Sequence, residues 1–188
     1  MTLFALFLLL SLGQTYTSNT ERSDYHILLR QGRTEYAAGR FAAAEKLFAD
    51  ALLQLPEGNK SERAAILGDL GAALGKLEEF SKAEKAYSDS LSISKSLGDN
   101  DNCALMLHNI GLLYSLQGRN EDALLQLHQA QELVKDHPNT DVRVAAQVLN
   151  GTGTVYFRNR DNKKAEAYFN QALEAVSSPD IGLTGLRF

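Results

Sequence analysis

Between about residues 24 and 176 the apolar positions recur with helical spacing, broken by short polar stretches, and the whole pattern repeats itself. Four segments align. They run QGRTEYAAGRFAAAEKLFADALLQLP from Gln31 to Pro56, LGAALGKLEEFSKAEKAYSDSL from Leu70 to Leu91, IGLLYSLQGRNEDALLQLHQAQ from Ile110 to Gln131, and TGTVYFRNRDNKKAEAYFNQAL from Thr152 to Leu173. A glycine recurs as Gly32, Gly71, Gly111 and Gly153, at spacings of 39, 40 and 42. Twelve residues after each comes Ala44, Ala83, Ala123 or Ala165. Four further on stands Phe48, Tyr87, Leu127 or Phe169, and three beyond that Ala51, Ser90, Ala130 or Ala172. Steps of three and four residues keep these positions on one helix face, and self-similarity at a fixed period predicts stacked helical units.

Each unit divides into two helices at a turn signal: Ala38-Gly39-Arg40, Lys76 to Glu79, Gln117-Gly118-Arg119, and Asn159 to Asn162. All three prolines, Pro56, Pro138 and Pro179, follow second helices, where a missing N–H costs nothing. A glycine inside a helix costs about 1 kcal/mol relative to alanine, so four in register need a reason. Close approach of the second helix supplies it. The small residues of that helix face the glycine, and the aromatic or leucine four positions later fills the space between them. The acidic pairs Glu78-Glu79 and Glu121-Asp122 are placed at the start of second helices, where they complement the helix dipole.

These residues resemble the tetratricopeptide repeat family, whose hairpins carry Leu-Gly, Tyr, Gly, Ala, Phe/Tyr, Ala-Leu and Pro at these offsets. The period near 40 is similar to the long-helix variety found in kinesin light chains and many bacterial repeat proteins, and SLGDNDNCALMLHNIGLLY from Ser96 to Tyr114 is typical of it. The resemblance implies an all-α fold, a right-handed α-solenoid of about four antiparallel helix hairpins. The repeats are expected at about 24–56, 61–97, 102–135 and 141–176, with a tail over 177–188.

In that family the first helices line a concave groove that holds extended peptides or helices. Carried onto this chain, the groove positions are His26, Arg30, Arg33 and Tyr36, then Asp69 and Lys76, then His108, Asn109 and Ser115, then Gln147, Asn150 and Arg158. Four Arg/Lys against one Asp make this surface locally positive and point to an acidic ligand. Asn109 and Asn150 are the strongest candidates, because an asparagine amide donates to and accepts from a peptide backbone at once. The carboxylate clamp of co-chaperone tetratricopeptide domains is excluded: its positions hold Leu29, Arg33, Asp69, Leu105 and Asn109 here. The function implied is a non-enzymatic scaffold that binds a peptide or protein segment.

Terminal repeats of a solenoid need a polar cap, and residues 177–188 (SSPDIGLTGLRF) contain no amphipathic helix. The last hairpin is therefore expected to leave an apolar strip with Phe169 and Leu173 partly uncovered. The tail, a second subunit, or further sequence of a longer protein would cover it. Two alternative functions follow: a structural subunit that self-associates through this end, and a sensor or regulatory fragment.

The N-terminus is different material. Residues Leu3 to Leu12 read LFALFLLLSL, too short for the roughly 20 apolar residues that span a bilayer but of signal-core length. Cleavage after Gly13 or Thr17 would release an exported, periplasmic or secreted chain with a signal over 1–17; a mis-assigned start would leave it cytoplasmic. Composition adds exclusions. A net charge of −4 offers nucleic acid no counterion-release term. Cys103, the single cysteine, excludes internal disulfides and is expected as a small buried residue. The histidines His26, His108, His128 and His137 lack metal-ligand spacing. GAALGK at Gly71 to Lys76 lacks the spacing and the hydroxyl residue of a phosphate loop. No cofactor and no catalytic constellation are expected.

Overall fold

Every landmark of the repeat falls in a helix. The computed structural model describes residues 25–137 and 139–177. Within them lie α1 (residues 25–37), α2 (Phe41–Gln54), α3 (Lys60–Lys76), α4 (Phe80–Leu97), α5 (Asn100–Leu116), α6 (Asn120–Asp136), α7 (Val142–Arg158) and α8 (Asn162–Ser177). The apolar run over 3–12 with its cleavage points, Pro138, Pro179 and the tail from 178 onward lie outside the described residues. No described helix is long and apolar enough to cross a membrane.

The odd and even helices pair into hairpins through one turn geometry used four times. Gly39, Glu78, Gly118 and Arg160 occupy the left-handed region, at φ +76, +61, +76 and +62. After each, a backbone N–H reaches back to a carbonyl five residues earlier: Arg40 to Glu35, Glu79 to Leu74, Arg119 to Tyr114 and Asp161 to Tyr156, at 2.9–3.0 Å. This satisfies carbonyls at the end of the first helix. It also moves the acidic pair Glu78-Glu79 out of α4. The turn needs a left-handed residue, Glu78 supplies it, and α4 starts at Phe80 with no acid in its first turn. Glu121 and Asp122 do sit in the first turn of α6, as the dipole argument requires.

The glycines are where the helices meet. A Cβ built on Gly32 would lie 2.6 Å from the Phe48 ring, and one on Gly71 or Gly153 2.7 Å from Tyr87 or Phe169. On Gly111 it would lie 2.9 Å from Leu127 Cγ and 3.0 Å from the Ala123 carbonyl oxygen. The same pairing thus closes all four hairpins. Ala44, Ala51, Ala83, Ala123 and Ala130 on the opposing helices are all 0% exposed.

Hairpins then stack. Each second helix packs on the next first helix (α2 on α3, α4 on α5, α6 on α7), while α3 touches α5 and α5 touches α7. The first helices therefore form the inner layer of an α-solenoid. Apolar clusters seal each joint, Leu55 with Ile66 at the first and Ala130 and Val134 with Val144, Ala145 and Val148 at the third. A polar node ties α4 both to its hairpin partner α3 and to α5 at the second joint. Ser90 Oγ donates to the Ala64 carbonyl at 2.7 Å, and Asn102 Nδ2 donates to Ser94 Oγ at 2.6 Å. Ser90 is 0% exposed, at a register position where the other repeats carry alanine. Ser90→Ala is expected to destabilise the protein by about 1 kcal/mol, the worth of one buried hydrogen bond. A urea midpoint equal to that of the parent would show that the node does not stabilise the second hairpin.

Candidate functional site

The inner layer brings side chains of the first three hairpins together around one recess. On α3 the small residues Ala72 and Gly75 leave a gap. Tyr36 of α1 walls it on one side, and Leu112 and Leu116 of α5 wall it on the other. The recess holds about 200 Å³, with buried Tyr87 and Leu113 at its base and Lys76 and Asn109 also lining it. Lys76 is exposed and Asn109 half-buried. Among the described residues Lys76 has no ion-pair partner and the Asn109 amide no hydrogen-bond partner within the chain. An apolar recess with a cation and an amide beside it can hold one apolar side chain of a ligand, a carboxylate, and a stretch of peptide backbone.

The other candidate residues fall elsewhere. Arg33 Nε binds Asp69 Oδ2 at 2.8 Å, a partly exposed bridge from α1 of the first repeat to α3 of the second. Burial pushes the Asp69 carboxyl up from its usual range, with Arg33 only partly opposing it. This pair neutralises one of the four expected cations and leaves Arg30, Lys76 and Arg158. Arg30 and Arg33 line a separate, shallow face of α1 with His26 and Leu29. Asn150, Gln147 and Arg158 lie on α7, away from the recess, with Asn150 and Arg158 exposed.

Two residues expected in the groove are drawn into the packing instead, one of them, His108, at the joint between the third and fourth repeats. Ser115 is only 3% exposed. His108 is half-buried as a residue, and its Nδ1 is closed off from solvent with no hydrogen-bond partner. A Cβ built on Gly151 of α7 would lie 2.5 Å from His108 Cε1 and Nδ1, so the ring fills the space that this glycine leaves. Burial holds the imidazole neutral, pushing it down to about 4. Register explains why the two asparagines part company. His108 and Asn150 each lie three residues before their landmark glycine, whereas Asn109 lies two before and corresponds to Gly151. The two asparagines do not form one row.

Groove positions chosen by residue type do not reveal the recess itself. Its signal is smallness: Ala72 and Gly75 stand where the third repeat carries Leu112 and Ser115 and the fourth Thr154 and Phe157. Cys103 is buried, and burial raises its thiol pKa.

The regulatory protein RapG of Bacillus subtilis (strain 168) is 26% identical over 112 residues, which is 58% of this chain and 30% of RapG. The chain thus spans under a third of that relative's length. Among solved structures, the Rap conjugation gene regulator of the plasmid pLS20, in complex with the Phr* peptide, superposes with a TM-score of 0.75 at 16% identity. That match covers 85% of this chain and 44% of the regulator. BtubC from P. vanneervenii gives 0.66 at 22%, covering 87% of this chain and 67% of BtubC. These likenesses establish a common fold. The tetratricopeptide repeat pattern matches residues 24–96, 62–136 and 102–178, overlapping spans that take in every described helix, and the chain belongs to the tetratricopeptide repeat family.

Proposed function

We propose that this tetratricopeptide scaffold binds a peptide, or an extended segment of another protein, across its inner helices and catalyses no reaction. The observation that carries the reading is the recess in which Tyr36, Lys76, Asn109, Leu112 and Leu116 converge from three successive repeats. An apolar ligand side chain fills it, Asn109 pairs with the ligand backbone, and Lys76 favours a carboxylate nearby. Arg30 adds positive charge one repeat away. The pLS20 regulator, on a similar fold, is likewise found in complex with a peptide.

The test is selection of a displayed random-peptide library on the purified protein, followed by titration of the recovered sequences. Peptides with an apolar residue beside Asp or Glu are expected. Lys76→Glu and Asn109→Ala should each weaken them about tenfold, roughly 1.4 kcal/mol, with folding intact. Recovered peptides whose affinity survives both substitutions would remove the recess as the binding site.

A further inference from the structure

The residue that closes each hairpin on its landmark glycine is Phe48, Tyr87, Leu127 or Phe169. Packing there asks only for a large apolar side chain, and three of the four carry no polar atom. Tyr87 meets the Gly71 position through its ring carbons, as Phe48 and Phe169 meet theirs, so the hairpin contact does not use its hydroxyl. The second repeat is also the one whose inner helix opens over this residue. Four residues after the glycine, where Tyr36, Ser115 and Phe157 stand in the other repeats, it has Gly75, which with Ala72 makes the gap of the recess. The additional hydroxyl and the opening thus occur in the same hairpin.

Tyr87 lines the recess, is 5% exposed, and among the described residues its hydroxyl has no hydrogen-bond partner. Burial first, then the Tyr36 phenol and the Asp69 carboxylate, push this hydroxyl above the ordinary tyrosine range, so it stays a neutral phenol. Those two groups belong to the inner helices α1 and α3, and Tyr36 itself walls the recess, so the hydroxyl is the end of the ring turned toward the inner layer. The other walls are apolar: Leu112, Leu113, Leu116 and the Tyr36 ring, which Phe41 holds edge-on with centroids 5.3 Å apart. The volume of about 200 Å³ exceeds the roughly 150 Å³ that holds a benzene ring in an apolar protein cavity. A ligand side chain that is apolar throughout displaces solvent from the hydroxyl and returns no hydrogen bond. A carboxylate at the base is opposed by Asp69, whose charge reaches Tyr87; Lys76, exposed beside the recess, suits it better.

We infer that the recess selects a tyrosine side chain of the ligand, its ring between Tyr36 and the leucines and its hydroxyl paired with that of Tyr87. The inference rests on the peptide-binding reading above and names the residue that the peptide brings to it. A buried hydroxyl discriminates strongly between ligands that pair with it and ligands of the same shape that do not. The ligand is therefore a segment carrying tyrosine beside Asp or Glu, and Tyr87 sets that specificity.

The test runs the random-peptide selection in parallel on the full-length parent and on Tyr87→Phe. Synthetic pairs of the recovered sequences, differing only in Tyr or Phe, are then titrated by fluorescence anisotropy. Phe48 and Phe169 hold the same register position, so the variant keeps the hairpin contact, which an unshifted melting curve checks. The parent is expected to enrich tyrosine and to prefer the tyrosine peptide about tenfold. Tyr87→Phe should bring that ratio close to one by weakening the tyrosine peptide, with the phenylalanine peptide unchanged or tighter. Equal weakening of both peptides would mark Tyr87 as structural and overturn the pairing, and so would a tyrosine preference that survives the substitution. Peptides weakened by Lys76→Glu that bind equally well with Tyr or Phe would overturn the selectivity and leave the recess as the peptide site. Peptides indifferent to Lys76→Glu and Asn109→Ala, or no peptide recovered at all, would remove the recess reading and this inference with it.

Discussion

Gly111→Leu is expected to melt the third hairpin and split the solenoid. The four landmark glycines are not equally forgiving. At Gly32, Gly71 and Gly153 the first atoms a new side chain meets belong to the rings of Phe48, Tyr87 and Phe169. Behind the ring at Gly153 the Ala165 carbonyl oxygen lies 3.2 Å from the Cβ position; at Gly111 the Ala123 carbonyl oxygen is nearer, at 3.0 Å, beside Leu127 Cγ at 2.9 Å, and a backbone atom of α6 moves only if the whole helix moves. Alanine there recovers about 1 kcal/mol of helix propensity but incurs overpacking of about 1–3 kcal/mol. Leucine adds three more carbons against Leu127, itself 0% exposed, and the loss should exceed about 3 kcal/mol. For a chain of this size that is a fall in Tm of roughly 10 °C. Because repeats are held by their neighbours, losing the third also removes the surfaces on which α4 and α7 rest, so unfolding should broaden or divide. The control is Gly118→Ala, at φ +76 with open space around it, which should cost about 1–2 kcal/mol through backbone strain alone. Thermal melts followed by circular dichroism distinguish the two. An unchanged Tm for Gly111→Leu would mean that the glycine–leucine contact is misplaced.

That prediction is open to the sequence because everything it uses is local. Gly111, Ala123 and Leu127 lie within one hairpin, and helix geometry links them at fixed spacing whatever the rest of the chain does. Positions facing a neighbouring repeat are another matter, since they depend on how one hairpin is rotated against the next. Ser115 is small and polar, which suits a groove, yet it is buried. Asn150 matches Asn109 by residue type but not by register, lying three residues before its landmark glycine where Asn109 lies two before. The recess escapes for a different reason. A search for groups that bind looks for side chains, and the recess is made by two that are nearly absent, Ala72 and Gly75, with Tyr36 and Leu116 supplied from other repeats. Glu78 suits a helix start because acids favour first turns; the demand of the hairpin for one left-handed residue overrides that preference.

Acid should loosen the joint between the third and fourth repeats before it affects the others. In the unfolded chain His108 titrates near the ordinary value of about 6.5, and in the fold burial holds it at about 4. The unfolded state therefore binds the proton more readily throughout the interval between the two. Stability contributed by the neutral ring is complete above about 6.5, is lost as pH falls, and has gone once pH passes below about 4. A gap of this width corresponds to about 3 kcal/mol at most. The cause is geometric: Nδ1 is shut in without an acceptor, and the ring sits in the space a side chain on Gly151 would take. Two carboxyls bound the interpretation. Asp141, held down to about 2 by Arg143, loses its contribution only below the usual carboxylate range, outside this interval. Asp69, raised by burial, acts with the opposite sign and gains as pH falls toward its own value. Between pH 7 and about 4.5 the parent should lose about 2–3 kcal/mol more than His108→Leu, measured by urea unfolding at each pH. Parallel pH dependences for the two proteins, or a His108 ring resonance titrating near the ordinary value of about 6.5, would place the imidazole in water and return it to the groove.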